Sequence, residues 1–182
     1  IFDCLVGSEM CIRDSNEGTE VKEKVMEEAL VSGVTHNKKE VKFTLFEVPD
    51  QPGIAGTVFG SLSEIGINVD MIVQNVSKDS ITDISFTAPT EQKDIVEKEL
   101  IKISKELNAK GYDIDETVGR VSIIGAGMKS ESGVASKMFK ILGEHSINIS
   151  MISTSPIRIS CVIDNKDIET ALEVLHKEFI EK

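Results

Sequence analysis

Aromatic residues and positive charge are both scarce in this sequence. It has no tryptophan and one tyrosine in 182 residues, so it lacks the aromatic platform on which proteins stack unpaired bases. Lysine and arginine number 20 against 31 aspartates and glutamates, a formal net charge of -11. Because nucleic acids and anionic membrane surfaces require clustered positive charge, we expect neither as a partner.

Cysteine, histidine and long apolar runs are also few. The cysteines are Cys4, Cys11 and Cys161, and they lack the CxxC spacing of zinc or redox sites; their odd number suits a reducing compartment. The three histidines are scattered along the sequence, so we expect no protein-bound metal. No apolar run approaches the ~20 residues of a membrane span. We therefore expect a cytoplasmic protein.

What the sequence does contain is an internal repeat. VKFTLFEVPDQPGIAGTVFGSLSEIGINVDMIVQ, from Val41 to Gln74, reappears as VSIIGAGMKSESGVASKMFKILGEHSINISMIST, from Val121 to Thr154. Duplicated units pair, and ligands can bind at the interfaces between them. Identities that align without a gap include Val41, Gly53, Phe59, Leu62, Ile67, Asn68, Met71 and Ile72 with Val121, Gly133, Phe139, Leu142, Ile147, Asn148, Met151 and Ile152.

Both copies show the same order of predicted elements. An apolar strand leads through a loop to an amphipathic helix that opens at Gly53 or Gly133. A strand pair follows, over 67–76 and 82–87 in the first copy and 147–154 and 157–163 in the second, and then a second helix, over 92–108 or 166–181. This order predicts an α+β fold of two ferredoxin-like βαββαβ units in tandem.

The two copies differ in their last strand. Residues 112–118 supply it in the first unit, whereas the second unit reaches Lys182 without one. The segment 29–35 is the spare strand-like stretch, so we infer that it closes the second unit and covers an apolar edge. The predicted units are 41–118, and 29–36 together with 119–182. Residues 1–28 fit neither copy, and we expect a non-native or disordered to helical lead there.

Several motifs in order carry a resemblance to a known family. They are VSGVTHN, VPDQPGIAG, INVDMIVQNVS, VGRVSIIGAGMKSESGVA and INISMISTSPIRIS. Together they resemble the C-terminal regulatory region of aspartate kinase, a tandem of ACT domains like that of the regulatory β-subunit. The resemblance covers about residues 29–182 and implies a homodimer whose units pair into larger sheets with a second chain. Nothing in the sequence resembles the family's kinase domain, which would bind ATP and Mg²⁺; we therefore expect no catalysis and no cofactor for this chain alone.

The loop after the first strand has the chemistry that a free amino acid needs. Asp50 offers a carboxylate for an ammonium group, and the exposed amides at the helix start beyond Gly53 can hold a carboxylate. Gln74 and Asn75 point to opposite faces of a strand, so one of them can face the ligand. The alternative is structural: Asp50 as a cap or turn residue and Asn148 as a loop former.

The resemblance implies specific effector positions. Threonine would contact Asp50, Gly53, Ala55 and Gln74 of one unit, and Asn148 and Ile149 of the second unit across a subunit interface. A candidate second effector site, for lysine, would use Met128, Ala135, Ser153 and Ser155. Lysine is the weaker expectation, because Pro156 stands where many relatives have a glutamate.

The second copy does not repeat the first site. Ser130 aligns with Asp50 and Thr154 with Gln74, which implies a different ligand or none. Gly125 and Gly127 do not make a dinucleotide site, because the third glycine of GxGxxG is absent and a hairpin follows.

The sequence is consistent with an allosteric regulatory part of aspartate kinase, whose partners would be L-threonine, L-lysine and a kinase domain or α-subunit. The alternative is a free-standing amino-acid sensor with two ACT domains and no kinase partner. A ferredoxin-like enzyme would need a nucleophile or an acid–base pair, and no histidine lies in such a motif.

Overall fold

The structure, a computed structural model, describes residues 31–75, 80–126 and 133–181. The lead expected over residues 1–28 lies outside these ranges. Within these ranges the strands and α-helices are, in chain order, β1 (Gly33–Asn37), β2 (Glu40–Pro49), α1 (Ile54–Glu64), β3 (Ile72–Gln74), β4 (Ile81–Pro89), α2 (Lys93–Glu106), β5 (Gly111–Asp115), β6 (Val118–Ile124), α3 (Val134–Glu144), β7 (Met151–Ser155), β8 (Arg158–Asp164) and α4 (Ile168–Phe179).

The strands form two four-stranded antiparallel sheets. The first has the order β3-β4-β2-β5 and the second β1-β6-β8-β7. The predicted α+β class and the tandem of βαββαβ units are confirmed. In the second sheet β1 lies beside β6, the place that β5 takes beside β2 in the first sheet. The N-terminal strand therefore covers that edge of the second sheet.

Each sheet buries one face under its own pair of helices, because its strands alternate apolar and polar side chains. Phe86 centres the first core: its ring stacks on Phe43 at a centroid distance of 5.3 Å and meets Phe59 edge-on at 5.6 Å. Val121, Ile123, Met138 and Leu142 are among the buried residues of the second core.

Helices α1 and α3 begin and end in the same way. Gly53 and Gly133 precede them with φ of 99° and 103°, which is a left-handed conformation that favours glycine. At the other end, the amides of Ile67 and Ile147 donate to the carbonyls of Leu62 and Leu142, both at 2.9 Å. Ile67 and Ile147 are buried in these closing loops. The strands predicted to start at these two residues begin later, at Ile72 and Met151.

The gap-free sequence match does not hold in the first strands. Phe43 lies opposite Phe86, whereas Val121 lies opposite Cys161. Phe86 and Cys161 are themselves equivalent, since each also lies opposite one of the matched isoleucines of β3 and β7. Val121 therefore takes the place of Phe43, not of Val41. The stretch from Val121 to Gly133 is accordingly two residues longer than the stretch from Phe43 to Gly53.

The two units contact each other through a buried ionic group. Arg120 of β6 donates to the Glu40 carboxylate of β2 at 2.8 Å and also pairs with Asp70. Glu40 is 3% exposed and accepts a second hydrogen bond from Asn37 at 2.9 Å. Burial raises the pKa of Glu40, and the Arg120 guanidinium opposes that rise. The buried side chains of Met71, Val118, Met151 and Val162 form an apolar cluster across the same contact.

At Gly119 of β6 the backbone of β1 approaches too closely to leave room for a side chain. A Cβ at this position would meet the Asn165 side chain and would lie 2.9 Å from the Asn37 carbonyl oxygen and 3.2 Å from Ile168 Cδ1. Backbone atoms cannot move away cheaply, so Gly119→Ala is expected to lower the free energy of unfolding by about 1–3 kcal/mol. Urea denaturation measures this loss.

Gly60→Ala is the matched control for this substitution. Gly60 lies inside α1, and a Cβ there would have nothing within 4 Å, so its unfolding free energy should rise by up to about 1 kcal/mol. Equal stability of Gly119→Ala and the wild type would contradict the close approach of β1.

Candidate functional site

The candidate effector residues of the first unit lie at one edge of its sheet. β2 and β3 both pair antiparallel with β4, so they run parallel to each other on its two sides. Pro49 lies opposite Ile81 and Gln74 opposite Ile84. The ends of β2 and β3 therefore flank the start of β4, and Asp50 and Gln74 lie at the same edge of the sheet.

The loop that carries Asp50 is held by backbone hydrogen bonds. The Asp50 amide donates to the Ser80 carbonyl at 2.8 Å, and the Ile54 amide to the Gln51 carbonyl at 3.3 Å. These contacts lead the chain from the end of β2 into α1. Asp50 is half-buried and Gln74 is exposed, so both side chains have polar atoms available to a ligand at this edge.

The start of α1 presents free donors beside Asp50. The Thr57 amide donates to the Gly53 carbonyl at 2.9 Å, and the amides of Ala55 and Gly56 have no acceptor among the residues that the structure describes. The first amides of a helix carry partial positive charge and bind anions. A carboxylate at these amides and an ammonium at Asp50 would satisfy both charged groups of a free amino acid.

Asn148 and Ile149 lie at the opposite end of their own unit, before β7 begins. Asn148 is exposed and Ile149 is half-buried against the second core. Asn148 lines a polar cleft of about 350 Å³ with Asp115, Thr117 and Lys166, and Asp50 and Gln74 are not among the residues of that cleft. The structure of one chain therefore does not bring these two groups of predicted residues together.

The candidate second site lies at the corresponding edge of the second sheet. Ser155 and Ile124 both lie opposite Arg158, so the ends of β7 and β6 meet there. Ser153 and Ser155 are exposed, and the Ser155 hydroxyl donates to the Arg158 carbonyl at 3.3 Å. Ala135 lies in the first turn of α3 and is half-buried. Met128 and Ser130 lie outside the described residues.

Sequence reasoning missed two charged residues at these edges. Asp83 lies in β4 of the first sheet, between Thr82, which pairs with Val48, and Ile84, which pairs with Gln74. Arg158 takes the equivalent place in the second sheet. The signal in the sequence that could have revealed them is the opposite charge of the two copies at these positions, aspartate in the first and arginine in the second.

The described part of the chain contains neither a metal-binding cluster nor a membrane-spanning helix. No group of three or more histidine, cysteine, aspartate and glutamate side chains there could hold a metal ion. None of the helices in those ranges is long and apolar enough to cross a membrane. Burial raises the pKa of the Cys161 thiol to about 12, so this cysteine is a core residue and not a nucleophile.

Family models match both units of the chain. Residues 43–108 and residues 121–179 each match a model described as an ACT domain. The aspartate kinase of Pseudomonas fluorescens is 46% identical over 158 residues, which are 87% of this chain and 38% of that protein. The aspartokinase of Helicobacter pylori is 45% identical over 151 residues, 83% of this chain and 37% of that protein. The chain thus spans about two fifths of the length of these relatives.

Two chains of solved structures match this chain over nearly their whole length. A chain in the crystal structure of aspartokinase alpha and beta subunits is 42% identical, with a TM-score of 0.77, and the match covers 82% of this chain and 98% of that one. The regulatory subunit of aspartate kinase from Thermus thermophilus, in its ligand-free form, is 35% identical with a TM-score of 0.78, covering 82% and 99%.

Proposed function

Because the chain belongs to the ACT-domain regulatory region of the aspartate kinases, we propose that it is an allosteric, amino-acid-binding module. Its role is feedback control, by threonine, of the ATP-dependent phosphorylation of L-aspartate in lysine, threonine and methionine biosynthesis. The observation that carries this proposal is the convergence of Asp50, the free amides of α1 and Gln74 at one sheet edge.

The proposed binding mode uses a different group for each part of the amino acid. The ligand carboxylate binds the amides of Ala55 and Gly56 at the start of α1, its ammonium binds the Asp50 carboxylate, and the Gln74 amide contacts a polar atom of the ligand. Gly53 is required for the left-handed entry into the helix. The ligand then favours one arrangement of subunits, with a coupling free energy of about 1–3 kcal/mol.

The rest of the effector site is proposed to come from a second copy of the chain. Asn148 and Ile149 precede β7, at the opposite end of this strand from Ser155. We therefore propose that the Asn148 and Ile149 of a partner subunit contact the ligand beside Asp50. This requires a homodimer in which the units pair into larger sheets. Sedimentation at micromolar concentration should show a dimer, and a monomer would contradict this part of the proposal.

Lysine is a second, weaker candidate effector. Ala135, Ser153 and Ser155 lie near one edge of the second sheet, and Met128 completes the set by resemblance. The turn between β7 and β8 carries Pro156, without the carboxylate that would meet a lysine ammonium. We therefore expect lysine to bind more weakly than threonine.

Catalysis is proposed to belong to a kinase domain or α-subunit that binds ATP and Mg²⁺, and the whole assembly is proposed to be cytoplasmic. The regulatory role and the catalytic partner can be tested separately. Threonine binding tests the first, and co-purification with a kinase subunit tests the second.

The proposed contact of Gln74 gives a test within the site. Gln74 is exposed, so Gln74→Ala should leave the free energy of unfolding within about 0.5 kcal/mol of the wild type. Loss of one ligand hydrogen bond should weaken threonine binding by about three- to tenfold. Isothermal titration measures the affinity, and Gln51→Ala, an exposed amide in the preceding loop, is the matched control. Unchanged affinity of Gln74→Ala would remove this residue from the site.

A further inference from the structure

β2 contains a bulge directly before the loop that carries Asp50. Leu45 pairs with Ile84 and Val48 with Thr82, so Phe46 and Glu47 stand opposite the single residue between those partners. Leu45 and Val48 both pack in the first core, although side chains three residues apart in a regular strand point to opposite faces. The bulge thus sets the direction in which the chain leaves the sheet toward Asp50.

Glu47 has an uncommon backbone conformation within this bulge. Its φ is 50°, in the left-handed region that residues other than glycine rarely adopt. Such a conformation persists only where neighbouring groups hold it. The Glu47 amide donates to Oδ1 of Asp83 at 2.8 Å, a hydrogen bond made within the bulge itself.

Asp83 also contacts the other segment of the site. Its backbone carbonyl accepts a hydrogen bond from the Asn75 amide at 3.3 Å. Asn75 directly follows Gln74, and Glu47 lies three residues before Asp50. A single residue of β4 therefore holds both strand ends that carry the proposed effector contacts.

The second unit has neither the bulge nor the carboxylate. β6 pairs with β8 without a shift from Val118 to Ile124. The residue of β8 equivalent to Asp83 is Arg158, which has no acceptor for a backbone amide. The arrangement thus belongs only to the unit that carries Asp50 and Gln74.

We propose that Asp83 is a positioning residue for the amino-acid effector. Its carboxylate accepts the Glu47 amide, fixes the bulge, and so sets the position of Asp50 relative to Gln74. The ligand in this inference rests on the proposed function, whereas the positioning of the loop does not. Asp83 acts through hydrogen-bond acceptance and not through its charge.

Hydrogen exchange without ligand tests the positioning directly. In Asp83→Ala, the amide of Asp50, which does not bond the Asp83 carboxylate, should exchange about tenfold faster. Asp83→Asn retains Oδ1 as an acceptor and should exchange like the wild type. The amides of Val121 and Ile123 in β6 are the internal reference. Unchanged exchange at Asp50, or an equal increase in β6, would overturn the inference.

Titration with L-threonine tests the functional consequence. Asp83→Ala should bind about tenfold more weakly, with Asp83→Asn close to the wild type. Lys110→Ala, which removes only the exposed ion pair with Glu47, is the control and should bind normally. Equal affinities for Asp83→Ala and the wild type, or an equal loss in Asp83→Asn, would overturn the inference. If the wild type does not bind threonine, the proposed function fails, and hydrogen exchange alone decides the positioning.

Discussion

Arg120→Ala is expected to lower the free energy of unfolding by about 3–5 kcal/mol, because it leaves the Glu40 carboxylate buried without its cation. Glu40 is 3% exposed, and its Oε2 has no hydrogen-bond partner in the described part of the chain even with Arg120 in place. The same substitution removes the ionic contact between the two units. Urea denaturation followed by circular dichroism gives the free energy.

The loss of unfolding free energy in Arg120→Ala should be larger at high pH than at low pH, because Glu40 is buried. Burial already raises the pKa of Glu40 in the folded chain, and Arg120 lowers it, so removing Arg120 raises this pKa further. A carboxyl whose folded pKa is raised contributes stability below its unfolded pKa and loses it as pH rises through the folded value. The variant should therefore be closer to the wild type at pH 5 than at pH 8.

An exposed ion pair is the matched control for Arg120. Lys140 and Glu144 pair at 3.7 Å on the surface of α3, and Lys140→Ala should change the unfolding free energy by less than about 0.5 kcal/mol. A loss in Arg120→Ala no larger than in this control, or one that does not shrink at pH 5, would show that Glu40 is not held as described.

Asp50→Ala is expected to weaken threonine binding by about 10- to 100-fold. A hydrogen bond between a carboxylate and an ammonium contributes about 1.5–3 kcal/mol, and Asp50 is the carboxylate at the start of α1 that is half-buried beside the free amides. Asp50→Asn keeps an acceptor and loses the charge, so its affinity should lie between those of Asp50→Ala and the wild type. Isothermal titration of the three proteins measures the series.

A carboxylate elsewhere on the same sheet controls for net charge. Asp113 is exposed on β5, on the far side of β2 from β4, and Asp113→Ala should bind threonine like the wild type. Circular dichroism should show that both variants are folded. Equal affinities for Asp50→Ala and Asp113→Ala would exclude Asp50 from the ammonium contact.

The helices and the order of strands could be predicted because their patterns are local. The spacing of Val58 and Leu62 in α1, and of Met138 and Leu142 in α3, marks the buried faces that the structure shows. The strand starts at Ile67 and Ile147 could not be predicted in the same way. A buried apolar residue that closes a helix has the same sequence signature as one that opens a strand.

The register of the first strands required the structure. The match of Val41 with Val121 is convincing in sequence, yet the strand pairing displaces it by two residues. The bulge of β2 at Glu47 also required the structure. A bulge depends on a backbone conformation and on a partner from another strand, here Asp83. Neither leaves a periodic pattern in the sequence.

The candidate site was likewise predictable only in part. Sequence chemistry identifies Asp50 and the helix after Gly53, and antiparallel pairing brings Gln74 to the same edge. The position of Asn148 at the other end of its unit follows only from the folded chain. The contact of Asn148 and Asp50 with the same ligand requires a second copy of the chain, and this contact stays a prediction.

Isothermal titration of residues 17–182 with L-threonine tests the central claim most directly, with L-lysine, both ligands together and L-alanine as comparisons. We predict saturable threonine binding, weaker lysine binding and none for alanine, with threonine affinity lost in Asp50→Ala and kept in Asp113→Ala. Absence of threonine binding by a folded, dimeric chain, or binding that Asp50→Ala leaves intact, would contradict an amino-acid effector site at this edge of the first sheet.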